Sequence, residues 1–531
     1  MYLLNLLAPL IALYLVIMFH EFGHVFMGKR RGYRVSSVLI GLGGPFLILP
    51  FGGTRYCFGM SRFGGGITFA LHRHLFTEKR DHIALLVGGA YGNLVGLILG
   101  LLCLWIQVPF PLFLLWFVGL NALMGITNLV SFQSEMGAKQ RFTLRTDGGQ
   151  IQALTKGTPE ALPGTQIRNL SAVRVLLEVV GDTLQIGGTY LVMALQYVAI
   201  GDQEEAERLY RKGMEIIPKG DANLTMRCNF MRLLIFSEVS KTFVDDETMR
   251  QEWQGLIDHE EKSATSRLAL SVLATTTQPP EIAIERLSSL LPEIVSLQQY
   301  ALIKMTRSLL FFAYAKNKDN RAIAVFNELE EMEPDEKTPG ALQRKHLMAE
   351  FQQSKGKTEK AGEQYKGALT VAGAIYVDLK EEALQEKFAL KMQPLIDEAV
   401  MSALNRGDTK GAEEARQIFV SAQAEAKALE ETTTFARNKI VKRNGIMTLI
   451  ALMFIGIQVG VGLWLQLATD PLGLPSKVAW LTLLLSLITL FGIGAVYATS
   501  RKQKDAGAIN LVLSQIPWLV SFIFYEALKI Y

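Results

Sequence analysis

Residues 2–27 read YLLNLLAPLIALYLVIMFHEFGHVFM, an apolar run that ends in two histidines and a glutamate. The run has no charged residue before Glu21, and as a helix it is long enough to cross a hydrocarbon core about 30 Å thick. Ionisable side chains inside a membrane helix are costly, so they are expected where they serve a function. The stretch therefore predicts a membrane helix with a functional site near its end.

His20, Glu21 and His24 form the pattern H-E-x-x-H. On a helix, positions i and i+4 lie on one face about one turn apart, so both imidazoles reach the same metal ion. Zinc accepts such ligands in tetrahedral geometry, and the glutamate is placed to take a proton from water held by the metal. The alternative is a solvated helix face, but the apolar run before His20 favours a Zn²⁺ site.

A hydrolytic zinc site needs a third protein ligand and an open position for water. The chain has three cysteines, which are too few and too scattered for a cysteine-based site, so the ligand is expected to be a histidine or a carboxylate. Asp147 is the candidate because Gly148 and Gly149 follow it and allow close backbone approach. The alternative is an ordinary Asp-Gly turn, and the rival carboxylate is Glu135.

The order of the motifs resembles that of the site-2 protease family of intramembrane zinc metalloproteases. HEFGH at 20–24 is followed by GGGITF at 64–69, GGAYGN at 88–93, TNLVSF at 127–132 and DGG at 147–149. The resemblance covers residues 1–151. It implies a zinc ion held by His20, His24 and Asp147, with Glu21 as the catalytic base.

Two asparagines follow from the same resemblance. It implies that Asn128 hydrogen bonds to the substrate backbone or to the oxyanion, whereas the alternative is a polar contact between helices. Asn93 either lines the site or packs a small-residue helix interface, and packing is favoured. The chain departs from the family pattern because Asp147 lies 19 positions after Asn128 and no proline follows Asn128 in Leu129–Ser131.

The hydropathy pattern predicts an all-α membrane protein, a polytopic helical bundle of five or six spans. A domain of about 1–151 would form the protease core and 439–531 a C-terminal membrane region, with a polar domain at 152–438 between them. The predicted spans are 2–27, 84–106, 111–131, 445–469 and 478–500, with 507–527 as a candidate sixth.

The charges predict an orientation. Residues 28–82 contain nine Lys and Arg against two acidic residues, whereas the loops 107–110 and 470–477 carry almost no positive charge. The positive-inside rule therefore places the N-terminus outside and both 28–82 and 152–438 in the cytoplasm. A nucleic-acid partner is not expected, because that interpretation of the basic loop requires a soluble protein.

The Gly-rich residues 35–70 alternate apolar and turn residues and predict a small β-hairpin or sheet after the first span. As in the family, such an edge is suited to holding an unwound substrate by β-addition. His72, His74 and His82 lie in the same basic loop. They form either a second metal site or part of a surface that faces lipid headgroups, and the second interpretation is favoured.

The polar middle resembles a tetratricopeptide-like helical repeat. Tyr190–Pro218 fits one repeat, and the inner spacing recurs at Ala322–Pro334 and partly at Ala361–Ala368. Such repeats stack into a solenoid with a concave surface that binds proteins. The alternative is a helical domain whose small residues share this spacing by coincidence.

These patterns together predict an intramembrane zinc metalloprotease that cleaves membrane proteins near the cytoplasmic face. Its expected partners are a membrane-protein substrate, the lipid bilayer and a cytoplasmic protein bound to the repeats. The family and the layout of the chain favour a bacterial inner membrane. The alternatives are a catalytically inactive scaffold that binds through its repeats and a zinc carrier, although the latter would need polar residues in several spans.

Overall fold

The computed structural model describes residues 2–108, 111–130, 133–136, 142–156, 162–240, 247–334 and 336–428. The predicted spans 445–469, 478–500 and 507–527 lie outside the described residues. Contacts divide the described chain into two compact units. The first contains the described parts of Met1–Val16 and Leu94–Leu123, and the second contains Ile17–Asn93 and Met124–Ala426. All candidate site residues belong to the second unit.

Three helices correspond to the predicted N-terminal spans: α1 (Tyr2–Arg30), α2 (Lys79–Trp105) and α3 (Pro111–Leu129). By length and composition, Ile11–Arg30 and Lys79–Trp105 are able to cross a membrane, whereas the apolar part of α3, Phe113–Leu129, is shorter. Helix α2 begins five residues before the predicted span at 84, with Asp81 in its first turn, where a carboxylate interacts favourably with the helix dipole.

Glycines allow α1 and α2 to cross at backbone contact. A side chain on Gly23 would collide with the Gly88 carbonyl, and a side chain on Gly92 would collide with the Phe19 carbonyl. Small residues at such a crossing are typical of membrane helices, where close packing replaces the hydrophobic effect. Helix α1 ends at Arg30, after which Gly32 adopts a left-handed φ of +83° that permits the turn into the sheet.

A small sheet follows α1, as the sequence predicts. Its strands are β1 (Tyr33–Phe51) and β2 (Thr54–His72), which are joined by a tight turn. Gly52 and Gly53 form this turn, and their φ angles of +56° and +75° favour glycine.

The pairing of β1 with β2 leaves one segment at the edge of the sheet. Residues 33–40 pair antiparallel with 66–72, and residues 37–40 pair on their other side with 55–58. Within the described residues, 66–72 therefore has a strand neighbour on one side only. This edge segment contains GITFALH, which includes the end of the Gly-rich motif.

After α3 the chain forms a second, two-stranded antiparallel sheet and then a short helix. The strands are β3 (Gln133–Met136) and β4 (Phe142–Arg145), and α4 (Asp147–Lys156) follows them directly. Eight of the residues between Asn128 and Asp147, where the chain departs from the family spacing, thus form two paired strands.

The described polar middle is entirely helical. Its first helices are α5 (Pro163–Val180), α6 (Thr183–Ile200), α7 (Gln203–Ile216), α8 (Ala222–Ser240), α9 (Glu247–His259) and α10 (Ala264–Ala274), with a 3-10 turn at Thr275–Thr277. They are followed by α11 (Pro280–Ser296), α12 (Tyr300–Lys316), α13 (Arg321–Met332), α14 (Pro339–Ser354), α15 (Thr358–Leu379), α16 (Glu382–Asn405) and α17 (Thr409–Arg416). The prediction of a mostly helical chain with a small sheet after the first helix is confirmed.

Short polar side chains begin several of these helices. Asp182, Asp202 and Asp408 each accept a hydrogen bond from the backbone N–H three residues later. This cap satisfies a donor that has no partner within the helix. Gly181 and Gly201 end the preceding helices in left-handed conformation, so the turns between helices are encoded locally.

The small residues of the repeat pattern lie where helices meet. Ala206, Ala322, Ala361 and Ala368 are all fully or almost fully buried. One further helix, Thr183–Ile200, is long and apolar enough to cross a membrane, although the sequence analysis did not predict it as a span. Its apolar residues instead contribute to the largest hydrophobic cluster of the described helical region.

Candidate metal centre

Three potential ligands converge at the α1–α2 crossing. His20 and His24 project from successive turns of α1, and their Nε2 atoms lie 3.2 Å apart. Oδ2 of Asp147, the first residue of α4, lies 3.4 Å from the Nε2 of His20 and 3.5 Å from that of His24. All three residues are buried. The structure therefore brings together the three residues that the sequence predicts as metal ligands.

The outer nitrogens of both imidazoles face acceptors. Nδ1 of His20 lies 2.7 Å from Oδ1 of Asn93, and Nδ1 of His24 lies 2.7 Å from the Leu85 carbonyl oxygen. Because these oxygens accept hydrogen bonds, each neutral ring carries its proton on Nδ1. Both Nε2 lone pairs consequently point towards each other and towards Asp147.

This donor set fits a divalent cation. Oδ2 of Asp147 is buried and has no hydrogen-bond partner within the described part of the chain. With both Nδ1 atoms protonated, no ring proton lies between these three electron-pair donors, an arrangement that a metal ion stabilises. A tetrahedral zinc site with bonds of about 2.0–2.1 Å has edges of roughly 3.3 Å. The observed separations of 3.2, 3.4 and 3.5 Å agree with that value.

Glu21 is held beside the ligands by the edge segment of the sheet. The Thr68 hydroxyl donates a hydrogen bond of 2.6 Å to Oε2 of Glu21. A Cβ atom on Gly66 would lie only 2.5 Å from Oε1 of Glu21, so this position has no room for a side chain. Glu21 is 3% exposed and is buried next to the metal ligands in a fixed position.

Two glycines make room for the ligands. A Cβ atom on Gly89 would lie 2.5 Å from the Nε2 atoms of both His20 and His24. A side chain on Gly148 would collide with the Leu129 carbonyl at the end of α3. The Gly-rich motifs that support the family resemblance are thus explained by direct packing around the site.

Asparagine side chains border His20 on both ring nitrogens. Asn128 approaches Nε2 with its amide at 3.4 Å, while Asn93 holds Nδ1. The sequence favours a packing role for Asn93, but in the structure its side chain orients a candidate ligand, His20. Metal-binding histidines commonly donate their second N–H to a nearby acceptor. A polar residue in an apolar helix expected to pack against H-E-x-x-H could therefore have predicted this role for Asn93.

The histidines of the basic loop line a cavity, whereas the sequence favours a surface that faces lipid headgroups. His72 is buried, with Nε2 at 3.1 Å from the Arg31 carbonyl, and Nδ1 of His74 lies 2.9 Å from Oε2 of Glu260. His72, His74 and His82 line the same cavity as the candidate ligands. In the described residues they do not form a second metal cluster.

The cavity at this site has a volume of about 460 Å³. The sheet edge, helices α1 to α4 and helix α8 of the polar middle all contribute to its wall. Its lining includes His20, Glu21, His24, Tyr33, Gly66, Ile67, Thr68, Ala70, Leu71, His72, His74, Thr77, His82, Asn128, Asp147 and Arg227.

A second group of ligand-type side chains has a different character. His346, Glu350 and Glu398 lie on α14 and α16, but Glu350 and Glu398 are exposed over 47% and 41% of their side chains. The imidazole of His346 is already paired with Glu398 at 2.6 Å. Unlike Oδ2 of Asp147, the imidazole of His346 and the carboxylate of Glu398 therefore already have a partner at the surface.

Comparison with known proteins gives one family. Residues 8–462 match the family described as peptidase family M50. No curated protein matches the chain significantly. A solved "circular tandem repeat protein with novel repeat topology and enhanced subunit contact surfaces" is 12% identical and covers 85% of this chain and 86% of its own, with a TM-score of 0.16. A TM-score this low supports no inference about fold or function.

Proposed function

Since this chain belongs to peptidase family M50, and so to the membrane metalloproteases of the site-2 protease type, we propose that it hydrolyses peptide bonds of membrane-embedded substrates at the centre formed by His20, His24 and Asp147. The convergence of two imidazole lone pairs and an unpaired carboxylate oxygen carries this proposal. Zinc suits these ligands, and three protein donors leave one tetrahedral position for water or substrate.

The protein groups around the centre have distinct tasks. Bound zinc supplies Lewis acidity to the attacking water and the scissile carbonyl. Glu21 takes the proton of the water and passes it to the leaving amine. Thr68 holds one oxygen of Glu21 and thereby orients the other. Asn128 borders the centre, where its amide donates to the oxygen on which negative charge develops.

The edge segment 66–72 is the proposed place of substrate binding. It has a strand neighbour on one side only within the described chain, and Gly66, Ile67, Thr68, Ala70 and Leu71 line the cavity. An unwound substrate can therefore add a strand beside Glu21 through backbone hydrogen bonds. Proline substitutions at Ile67–Ala70 should reduce cleavage, and unchanged cleavage in the whole series would contradict β-addition.

The helical middle is the proposed binding platform for a protein partner. We assign 1–151 to the protease core, 152–438 to a tetratricopeptide-like domain on the cytoplasmic side, and 439–531 to the C-terminal membrane region. The buried positions of Ala206, Ala322 and Ala361 agree with repeat packing. By the same orientation, cleavage takes place near the cytoplasmic face of what we take to be a bacterial inner membrane.

The central experiment compares wild type with Glu21→Gln on a single-span membrane substrate in detergent. Glutamine keeps the size of the side chain but cannot accept the proton, so cleavage should fall by at least about 100-fold. Zinc content should stay near that of wild type because Glu21 is not a ligand. Equal cleavage by both proteins would favour the inactive scaffold.

Thr68→Val provides a matched test of how Glu21 is oriented. Valine preserves the shape of the side chain but removes the hydroxyl that donates to Glu21. The expected result is a lower kcat with unchanged zinc content. A simultaneous loss of zinc would indicate that Thr68 supports the ligands instead.

A further inference from the structure

One wall of the catalytic cavity comes from the polar middle of the chain. Arg227, on helix α8, lines the same cavity as His20, Glu21 and Asp147. One of its terminal nitrogens, Nη2, donates to the backbone carbonyls of His72 and His74 at the end of the edge segment. The helical middle thus contributes a cation to a site whose metal ligands all lie in the N-terminal third.

The guanidinium keeps an unused donor. Its Nε is buried and has no acceptor in the part of the chain that the structure describes. The acidic residue in its surroundings is Glu260, which is 1% exposed and pairs with Nδ1 of His74 at 2.9 Å. A buried donor without an acceptor is unfavourable, and charged groups increase this cost. Arg227 therefore lines the cavity with a guanidinium whose donors are not all used.

A second donor lies in the same wall. Tyr33 is 8% exposed, and its hydroxyl lies within hydrogen-bonding reach of Thr77. Burial raises the pKa of Tyr33 to about 12, so the hydroxyl stays protonated at neutral pH. Arg227 and Tyr33 thus place two donor groups in the same wall of the cavity.

We propose that Arg227 and Tyr33 form a subsite for a substrate carboxylate, and so make this enzyme selective for peptides that carry an acidic group a few residues from the scissile bond. The proposal rests on the proposed protease function. The carboxylate comes either from an Asp or Glu side chain or from the C-terminus of a substrate that has already been cut. A carboxylate matches the guanidinium because it accepts charge-assisted hydrogen bonds.

The edge segment 66–72 sets the expected distance between the scissile bond and the substrate carboxylate. Thr68 contacts the base Glu21, while Arg227 holds the carbonyl of His72, four residues further along β2. Four residues of an extended strand span roughly 13 Å. A substrate strand added to this edge would therefore bring the carboxylate about three to five residues from the cleaved bond.

The test uses the full chain with Glu21→Gln in detergent, which binds peptides without cutting them. Fluorescent apolar decapeptides of Ala and Leu carry one Asp at each position in turn, with matched Asn peptides as controls. A further pair ends in a free carboxylate or a carboxamide. Wild-type cleavage of the same peptides, read by mass spectrometry, locates the scissile bond.

At one position, or at the free C-terminus, the carboxylate peptide should bind at least about tenfold more tightly than its neutral partner. A tenfold difference in Kd corresponds to about 1.4 kcal/mol of binding free energy. Discrimination at an internal position identifies a side-chain carboxylate, and discrimination confined to the last pair identifies a terminal one. Adding Arg227→Met should abolish the preference, and Tyr33→Phe should weaken it.

Arg232→Met is the matched control. It removes an arginine from the same helix, but Arg232 pairs with Glu252 at 2.8 Å and does not line the catalytic cavity. Equal binding of the carboxylate and neutral peptides in every pair would overturn the proposal. So would an equal weakening of both forms by Arg227→Met, because Arg227 would then act only as a structural link. If discrimination persists but wild type cuts no peptide, the subsite stands and the protease function fails.

Discussion

At the scale of single residues, the candidate metal centre depends on missing hydrogen-bond donors and missing side chains as much as on the ligand atoms themselves. Oδ2 of Asp147 has no hydrogen-bond donor within the described chain, and Gly89 lacks the side chain that would displace two imidazoles. His20 and His24 are fixed through their outer nitrogens, which leaves their inner lone pairs without protons. The three ligand atoms are thus arranged so that they could hold a cation.

Asp147→Asn should separate metal binding from folding. The carboxamide is a poorer ligand, so zinc should be lost on dialysis. Its NH₂ group can donate to a histidine Nε2, which relieves the repulsion between lone pairs in the metal-free protein. We therefore expect metal-free Asp147→Asn to melt at or above the temperature of EDTA-treated wild type. Zinc analysis and thermal unfolding in detergent measure both effects.

The control for this prediction is Glu135→Gln, which changes the rival carboxylate of the sequence analysis. It should retain zinc like wild type. Retention of zinc by Asp147→Asn together with loss of zinc from Glu135→Gln would transfer the third-ligand role to Glu135.

Gly89→Ala should damage the centre through one methyl group. The new Cβ would lie 2.5 Å from Nε2 of both His20 and His24, so both rings have to move. Because small displacements around metal ligands typically cost one to two orders of magnitude in affinity, zinc binding should weaken by about 10–100-fold. Competition with a zinc chelator would measure this change.

Gly119→Ala is the matched substitution for Gly89→Ala. Gly119 is also within an apolar helix, but nothing lies within 4 Å of its potential Cβ atom. Alanine there should leave zinc affinity unchanged and stabilise the helix by about 0.5–1 kcal/mol. Equal zinc affinities for the two variants would refute the steric explanation.

At the scale of elements, one buried ion network joins helices α12 and α14 of the polar middle. Glu336, just before α14, accepts hydrogen bonds from Lys304 on α12 and from Arg344 on α14, and Thr338 donates to it as well. The side chains of Glu336 and Arg344 are each 3% exposed. Burial alone would raise the pKa of Glu336, but Arg344, the Thr338 hydroxyl and Lys304 together lower it.

Glu336→Gln should destabilise the protein by about 3–5 kcal/mol at neutral pH, because it leaves the buried Arg344 without its anionic partner, whereas Lys304 keeps its pair with Glu333. Since the pKa of Glu336 is lower in the folded state, its contribution is complete above the unfolded pKa and disappears as the pH falls through the folded value. Denaturant unfolding should therefore show a difference between variant and wild type that is constant above about pH 5.5 and narrows in acid.

An exposed ion pair serves as the comparison for Glu336. Glu207 pairs with Arg211, but both side chains are more than 60% exposed. Surface pairs of this kind contribute at most about 1 kcal/mol, so Glu207→Gln should change stability little. A difference for Glu336→Gln that does not depend on pH would contradict the assigned role of its charge.

Sequence patterns predicted elements better than they predicted contacts between elements. The apolar runs located α1, α2 and α3, and the spacing of His20 and His24 located their common face, because both patterns are local. The pairing of His20 with Asn93 was missed, since it joins residues 73 positions apart and depends on the α1–α2 crossing. Thr68 was missed for a similar reason, because its contact with Glu21 follows from the register of the sheet.

At the scale of the whole described chain, the polar middle and the loop between α1 and α2 share a polar interface. The Ser37 hydroxyl donates to Asp182 at 2.6 Å, and the Phe76 backbone bonds to the Ser266 side chain at 2.8 Å. Arg227 adds its bonds to His72 and His74. The segment that carries the substrate edge is thus held by the helices that we propose as a partner-binding platform.

This interface predicts that the two parts stay together after the chain is cut between them. A specific protease site placed between residues 156 and 162 would yield a fragment with the metal centre and one with the polar middle. We expect them to co-purify in detergent with zinc still bound. Asp182→Ala should release the fragments more readily, because Asp182 is 4% exposed and both accepts from Ser37 and caps α6.

Arg34→Ala tests whether burial gives this interface its strength. Arg34 also reaches the polar middle, through an ion pair of 2.6 Å with Asp221, but 57% of its side chain is exposed. Screening by water leaves such a pair worth little, so the cut Arg34→Ala protein should remain associated. If Arg34→Ala and Asp182→Ala release the fragments equally, general charge attraction holds the parts together and the buried contacts do not. A partner bound to the helical middle would then have no rigid connection through which to act on the edge segment 66–72.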